Sequence, residues 1–453
     1  MRSSIVAFLL LAAASQPLRA GVVADEVLRA AERGERVPVI VALRSPAAEG
    51  KSGAAATVAI RSVEARVLAR LDAASFRLRD RWDSVAGFAG ELSIGAVSAL
   101  ANDADVLRVD LDAGGSAHLA ESVALVGGTA VHALGFSGEG VTIAVVDSGI
   151  DATHPDLAGA VVDEHCFCRG RNGAGCCPDG STMQSGPGAG EDGAGHGTAV
   201  AGTLASRGHV AAPGMAPKAK LVAVRVLDDD NRFAFDSQIV TALDYLLTDH
   251  PEVRVVNLSL GTDALYADAC DRGSADQLLW SRQLAAFRAR GTAVVVSSGN
   301  EASANAMAAP ACVSGAWAVA ATYDVSLPFA QDGACAAGNI RADDLACFSN
   351  SSPQLAFVAP GAFITTSVAH GGAREFVGTS FAAPHVAGAA AVLFAMKPSA
   401  TVEEIETLLR RTGKVVIDPR TGRATPRIDL LEAVKDLEKT MPPAGPRRRA
   451  ARH

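Results

Sequence analysis

Three residues in this chain have the types and order of a nucleophilic relay, and each sits among small side chains. They are Asp147 in VVDSGID (145–151), His196 in GHGTAVAG (195–202) and Ser380 in GTSFAAPHVAG (378–388). In such a relay a hydroxyl attacks an electrophilic carbon and an imidazole takes its proton. A carboxylate holds the ring in one tautomer and stabilises its positive form. Glycines on both sides of His196 allow close backbone approach. Ser380 opens the apolar run FAAPHVAGAAAVLFAM, where a helix N-terminus favours negative charge developing near the hydroxyl. Pro384 lies four residues on, so in a helix starting at this point the Ser380 carbonyl loses its usual N–H donor.

Each residue taken alone has a plainer reading. Asp147 could cap a turn with Ser148 and Gly149, His196 could be a core histidine, and Ser380 could be a helix N-cap. A fourth residue adds to the chemistry. Asn300 ends the segment SSGN, and an amide donor aimed at the attacked carbonyl oxygen stabilises a tetrahedral intermediate. Its plainer reading is a turn asparagine.

The order Asp, His, Ser and the words around each residue resemble the subtilisin-like serine proteases, or subtilases, strongly over 140–398 and in pattern only over 36–113. The resemblance implies a serine endopeptidase acting through an acyl-enzyme, with Asp147, His196 and Ser380 as the triad. It implies Asn300 and the Ser380 backbone N–H as oxyanion donors. Ser259, Leu260 and Gly261 would pair with an extended peptide, and Ser298 and Gly299 would wall the specificity pocket. The sequence departs from the family where Ala199 replaces a frequent second histidine and Phe381 a commoner methionine. No cofactor is implied for the chemistry. A structural calcium is common in the family, and Asp156 in HPDL matches one ligand, but the stretch ASRGHVAAPGMAP lacks the usual Asn or acidic partners. Asp192, Asp228, Asp229 and Asp230 are the other acidic candidates.

The elements that must position these residues read as an α/β fold. GVTIAVVDSG (140–149), AKLVAVRVLD (219–228), VRVVNLSLG (253–261), GTAVVVSSGN (291–300) and WAVAATY (317–323) are continuous apolar runs. Helical stretches lie between them at 236–250 and 276–291, with two more at 402–411 and 428–438. The expectation is a mainly parallel sheet with helices on both faces, with the site beyond the C-terminal strand ends. Ahead of it, 36–45 reads as a strand, 62–81 as helical spacing, and 88–113 as strand, helix and strand, with the helix near Ile94–Ala101. That order resembles the small α+β, ferredoxin-like inhibitory propeptide of subtilases.

The expected domains are a signal peptide (1–20), a propeptide-like domain (21–115), a catalytic domain (116–440) and a disordered basic tail (441–453). Met1-Arg2 followed by a short apolar run implies export, to the periplasm or outside the cell. Eight cysteines in an exported chain suggest up to four disulfides, with Cys270–Cys312 and Cys335–Cys347 as guessed pairs. Partners are then protein or peptide substrates and the chain's own propeptide, acting on a monomer. A formal charge of -8 argues against nucleic acid. The rival reading is a catalytically silent, peptide-binding relative. A serine esterase on an α/β-hydrolase fold would need G-x-S-x-G with Ser before His, which is not the order here.

Overall fold

The structure is a computed structural model. It describes residues 21–440 apart from 35, 49–52, 113–114, 118–121 and 333–334. The expected signal peptide and basic tail lie outside the described residues.

The strand Thr142–Asp147 shows how the central sheet arises. Ile143 and Val145 enter one hydrophobic core, while Ala144 and Val146 enter another on the opposite face. A strand buried on both faces needs a continuous apolar run, and that is the reason these segments lack alternation. The sheet has 11 strands. From one edge it runs through Lys414–Ile417, Ala424–Arg427, Phe357–Ser367, Trp317–Tyr323, Ala293–Ser297 and Val253–Leu258, then Thr142–Asp147, Lys220–Arg225, Val161–Cys166 and Gln184–Ser185, while the eleventh strand, Ala373–Val377, pairs antiparallel with Phe357–Ser367 off this path. Pairing is parallel from Ala424–Arg427 to Val161–Cys166, with antiparallel additions at the edges. Helices Asp236–Asp249 and Ala275–Ala289 cover one face, and His196–Ala205 and Thr379–Met396 the other. The Thr379–Met396 helix is long and apolar enough to span a bilayer, but 94% of it is buried in this core.

Residues 21–111 form a separate five-stranded sheet, in which Val106–Leu111 lies beside Val37–Leu43. Along Val37–Leu43 the side chains divide by parity. Val37, Val39, Val41 and Leu43 enter this unit's own core, whereas Ile40 and Ala42 join the core under the Asp236 and Ala275 helices. The N-terminal sheet is therefore covered by its own helices on one face and by the larger unit on the other. Polar contacts fix the orientation. Asp244 accepts the Asp83 and Ser84 N–H groups at 2.8 and 2.6 Å, and Trp82 donates to Thr241 at 2.9 Å. Asp112 pairs with Arg79 and accepts from the Ser237 N–H at 2.6 Å, in the first turn of the Asp236 helix.

The helix Ile94–Ala101 falls at its expected position. The helical reading of 62–81 is corrected: the helix is Ala54–Leu68, and Phe76–Arg81 is an edge strand. FRLRDR carries arginines and an aspartate on that edge, so its strand character is masked by charge. Gly115–Ala117 is a strand that pairs with Leu260–Thr262 and with Arg232–Phe233 of the larger unit. All eight cysteines are paired: Cys270–Cys312 and Cys335–Cys347 as guessed, plus Cys166–Cys177 and Cys168–Cys176 in the Gly-rich loop.

Candidate active site

Asp147 is the last residue of its strand and fully buried. Its Oδ1 accepts the Ser148 N–H at 2.7 Å and meets His196 Nδ1 at 2.6 Å. With the Nδ1 proton facing the carboxylate, Nε2 is the basic nitrogen of the neutral ring. Asp147 Oδ2 is buried with no hydrogen-bond partner among the described residues.

His196 begins the helix His196–Ala205. That helix packs very close to the Asp147 strand end, because a Cβ at Gly197 would lie 2.0 Å from the Gly149 carbonyl oxygen. Gly195, with φ +83°, supplies the left-handed turn before it. The helix start is clamped by Asp192, which is buried. Its Oδ1 accepts from the Ser148 hydroxyl at 2.7 Å and the Ala194 and Gly195 N–H groups at 3.1 and 2.8 Å. Its Oδ2 accepts from the Thr198 N–H at 2.8 Å and its hydroxyl at 2.5 Å. Ser148 in turn accepts the Gly197 N–H at 2.8 Å. The loop bearing Asp147 and the helix bearing His196 are thus held in one network. Sequence reading placed Asp192 only among possible calcium ligands. Its spacing ahead of the histidine was the available signal for this role.

Ser380 lies in the first turn of Thr379–Met396, where backbone N–H groups have no acceptor within the helix. Its hydroxyl donates to the Ser259 carbonyl at 3.1 Å. The carbonyl that Pro384 leaves without a donor is taken by the Ser259 hydroxyl, which also accepts from Asn257 Nδ2 at 2.9 Å. A reciprocal pair therefore joins the nucleophile candidate to the Ser259–Gly261 segment. Phe381, the next residue, packs edge-on against the His196 ring with centroids 5.5 Å apart.

Asn300 is half-buried, three residues past the strand Ala293–Ser297. Its Oδ1 accepts from the Thr379 N–H at 2.7 Å and the Thr379 hydroxyl at 3.0 Å. The acceptor end is thereby committed, and the Nδ2 donor end points away from Thr379. Thr379, which sequence reading did not single out, orients the amide. Its Oγ1 also accepts the Gly299 N–H at 3.1 Å. Ser298 donates to the Asn350 carbonyl at 3.1 Å. Gly299 has φ +107°, and a Cβ there would meet Asn350 Nδ2 at 2.4 Å. Leu260 and Gly261 stand in the ladder with Ala117 and Ser116.

Two of the acidic residues weighed for calcium, Asp156 and Asp192, already have both carboxylate oxygens taken. Asp156 is buried. Its Oδ1 accepts the His209 and Val210 N–H groups at 2.6 and 2.8 Å, and its Oδ2 accepts the Ala211 N–H and Ser367 hydroxyl at 2.9 Å each. Four donors occupy the roughly four lone-pair sites of a carboxylate. Burial, the largest effect, raises its pKa. The Ala211, Val210, Ser367 and His209 donors together outweigh burial and hold it below the usual range. Asp192 is occupied as described. Asp228 accepts the Asp230 and Arg232 N–H groups, and Asp229 pairs with Arg225. No metal-type cluster occurs among the described residues.

Comparison with known proteins agrees with this fold. The profile of the subtilase family matches residues 138–434. The chain is 28% identical to subtilisin E of Bacillus subtilis (strain 168) over 346 residues, covering 74% of this chain and 77% of that protein. It is 31% identical to an alkaline protease of Shouchella clausii over 354 residues, covering 77% and 80%. The crystal structure of fervidolysin from Fervidobacterium pennivorans superposes with a TM-score of 0.64 at 20% identity. That match covers 88% of this chain and 61% of that one, and it bears on the fold alone. The chain belongs to the subtilase family and is a serine-type endopeptidase.

Proposed function

We propose that Asp147, His196 and Ser380 are the catalytic triad of a secreted endopeptidase made as a self-inhibited precursor. Ser380 Oγ attacks the peptide carbonyl while His196 Nε2 takes its proton. The carbon–nitrogen bond then breaks, and the same imidazole gives that proton to the leaving amine. Water hydrolyses the resulting ester by the reverse sequence. Asn300 Nδ2 and the Ser380 N–H bond the oxyanion. The observation carrying this reading is the 2.6 Å contact of His196 Nδ1 with a fully buried Asp147, on a helix clamped to the same loop. The extended backbone of a substrate would lie along Ser259–Gly261, with Ser298 and Gly299 beside its side-chain pocket. No cofactor takes part in these steps.

Residues 21–115 act as the inhibitory propeptide. Support comes from their docking on the Asp236 and Ala275 helices and from the strand Gly115–Ala117 lying along the proposed substrate edge. Export is supported by the N-terminal sequence and by four disulfides, which persist in oxidising compartments. Ser380→Ala should keep the fold and lower casein hydrolysis by about 10⁶-fold, a magnitude known from subtilisin itself. Full casein cleavage by that variant would overturn the triad.

A further inference from the structure

We infer that Arg232 and Asp263 form an ion-pair strap across the substrate groove, and that the strap selects for a small residue on the acyl side of the bond to be cut. The inference rests on the reading of Ser259–Gly261 as the substrate edge.

The strand Gly115–Ala117 shows what the strap would cover. It is the middle member of a three-stranded sheet, with Leu260–Thr262 on one side and Arg232–Phe233 on the other, both antiparallel to it. Ser116 stands opposite Arg232 and Gly261, and Gly115 opposite Phe233 and Thr262. Asp263 follows Thr262, one row further along. Arg232 Nη2 donates to Asp263 Oδ2 at 2.8 Å. The two side chains therefore meet from walls that lie two strand spacings apart, about 9–10 Å.

Such a contact has to cross the middle strand. The chain continues at both ends of that strand, so the pair closes over one of its faces. Burial identifies the face. Phe233, Leu260 and Thr262 are buried, whereas the Arg232 and Asp263 side chains are 44% and 61% exposed. Alternation along a strand agrees, because Arg232 and Asp263 sit two rows apart and so share the solvent face. Both ends of the strap are anchored through the backbone. Asp228 accepts the Arg232 N–H at 3.0 Å and donates its own N–H to the Arg232 carbonyl at 2.8 Å. Beside Asp263, the Thr262 N–H donates to the Ala309 carbonyl at 2.9 Å, and the Thr262 hydroxyl to the Ala264 carbonyl at 2.9 Å.

A main-chain ladder holds a peptide with little regard to its side chains. Selection at this position then comes from what lies over the strand. The sequence seated there, Gly-Ser-Ala, is small throughout. A bulky residue facing outward beneath the pair enters only by parting Arg232 from Asp263. An exposed ion pair is worth a factor of up to about five, and that factor is the ceiling on the discrimination. Salt weakens it, since exposed charges are screened within about 3 Å at 1 M. Arg232 and Asp263 are thus specificity residues, with no part in bond breaking.

The test measures kcat/KM of the mature enzyme on peptides that carry Ala or Phe at each acyl-side position in turn. Wild type is compared with Arg232→Ala, Asp263→Ala and the swapped pair Arg232→Asp with Asp263→Arg. At one position the ratio of Ala to Phe should fall by about three- to fivefold in either single variant. It should fall likewise for wild type in about 1 M NaCl, and it should recover in the swapped pair at low salt. Ratios unchanged at every position in the single variants, a ratio indifferent to salt, or a loss that the swap does not restore overturns the strap. Peptides N-methylated along the acyl backbone test the groove itself. Unimpaired cleavage of all of them overturns the groove reading, whereas impaired cleavage without a strap-dependent ratio overturns the strap alone.

Discussion

The two sheets of this protein are finished differently. The catalytic sheet is covered on both faces by helices of its own unit, so Ala144 and Val146 are as buried as Ile143 and Val145. The N-terminal sheet has its own helices on one face only. Ile40, Ala42, Trp82, Val85 and Ala89 are buried through the catalytic unit's Asp236 and Ala275 helices. Undocked, that face would be an exposed apolar patch of the kind that marks an interaction surface. The catalytic unit is self-contained, whereas the N-terminal unit is shaped as a cover.

That contrast is broken most sharply by changes that affect one unit alone. Asn300→Ala should lower kcat by about 10²–10³-fold with little change in KM, a range established for this donor in subtilisin. It should leave the hold of the N-terminal unit unchanged. Steady-state kinetics on a peptide substrate check the first part, and co-purification of the cut N-terminal fragment checks the second.

Trp82→Ala acts on the other side. The indole is fully buried and donates to Thr241 across the interface. Such truncations cost about 3–5 kcal/mol. Part of this loss falls on folding of the N-terminal unit, so inhibition of the mature enzyme by residues 21–115 added in trans should weaken by about tenfold or more. The kcat of the mature enzyme contains no Trp82 and stays as it was. Equal inhibition by wild-type and variant fragments would show that the shared face does not carry the docking.

The smallest effect is on pH dependence. Asp110 of the N-terminal unit and Asp276 in the first turn of the Ala275 helix share a buried acidic neighbourhood, also faced by Arg108, Glu26, Tyr266 and Asp236. Burial, then Asp110, pushes Asp276 up to about 7, while Ser274 and Arg108 work against this. Burial also raises Asp110 against the pull of Arg108. Inside the N-terminal unit, burial pushes Glu64 up to about 7 against Arg81 and Arg61. A raised carboxyl pKa gives stability that is complete below the ordinary value of about 4 and is lost as pH rises through the folded value. The cover should therefore bind several-fold more weakly at pH 8 than at pH 5. The inhibition constant of the fragment at the two pH values measures this, and tighter binding at pH 8 would contradict it.

The sequence made the self-contained unit legible and the cover less so, for a physical reason. Strands buried on both faces show as unbroken apolar runs, so Thr142–Asp147, Lys220–Arg225 and Trp317–Tyr323 could be read directly. Phe76–Arg81 is an edge strand whose arginines hid its strand character. In the site, side chains with distinctive chemistry stood out, while those that hold them did not. Asp192 and Thr379 act through bonds to backbone N–H groups and hydroxyls whose positions depend on the turn they stabilise. The Ser380 carbonyl left open by Pro384 could be foreseen, but its partner, the Ser259 hydroxyl, comes from 121 residues away. Likewise, Asp156 looks like a ligand in sequence and proves to be an acceptor for a backbone loop.

In the proposed triad Ser380 is a hydroxyl made nucleophilic by His196 on Asp147. It is tested most directly by treating the mature enzyme with a fluorophosphonate and mapping the adduct by peptide mass spectrometry. One stoichiometric adduct is expected, on Ser380, and it disappears in His196→Ala while the fold is kept. An adduct on another serine, or undiminished labelling of Ser380 without His196, would contradict it.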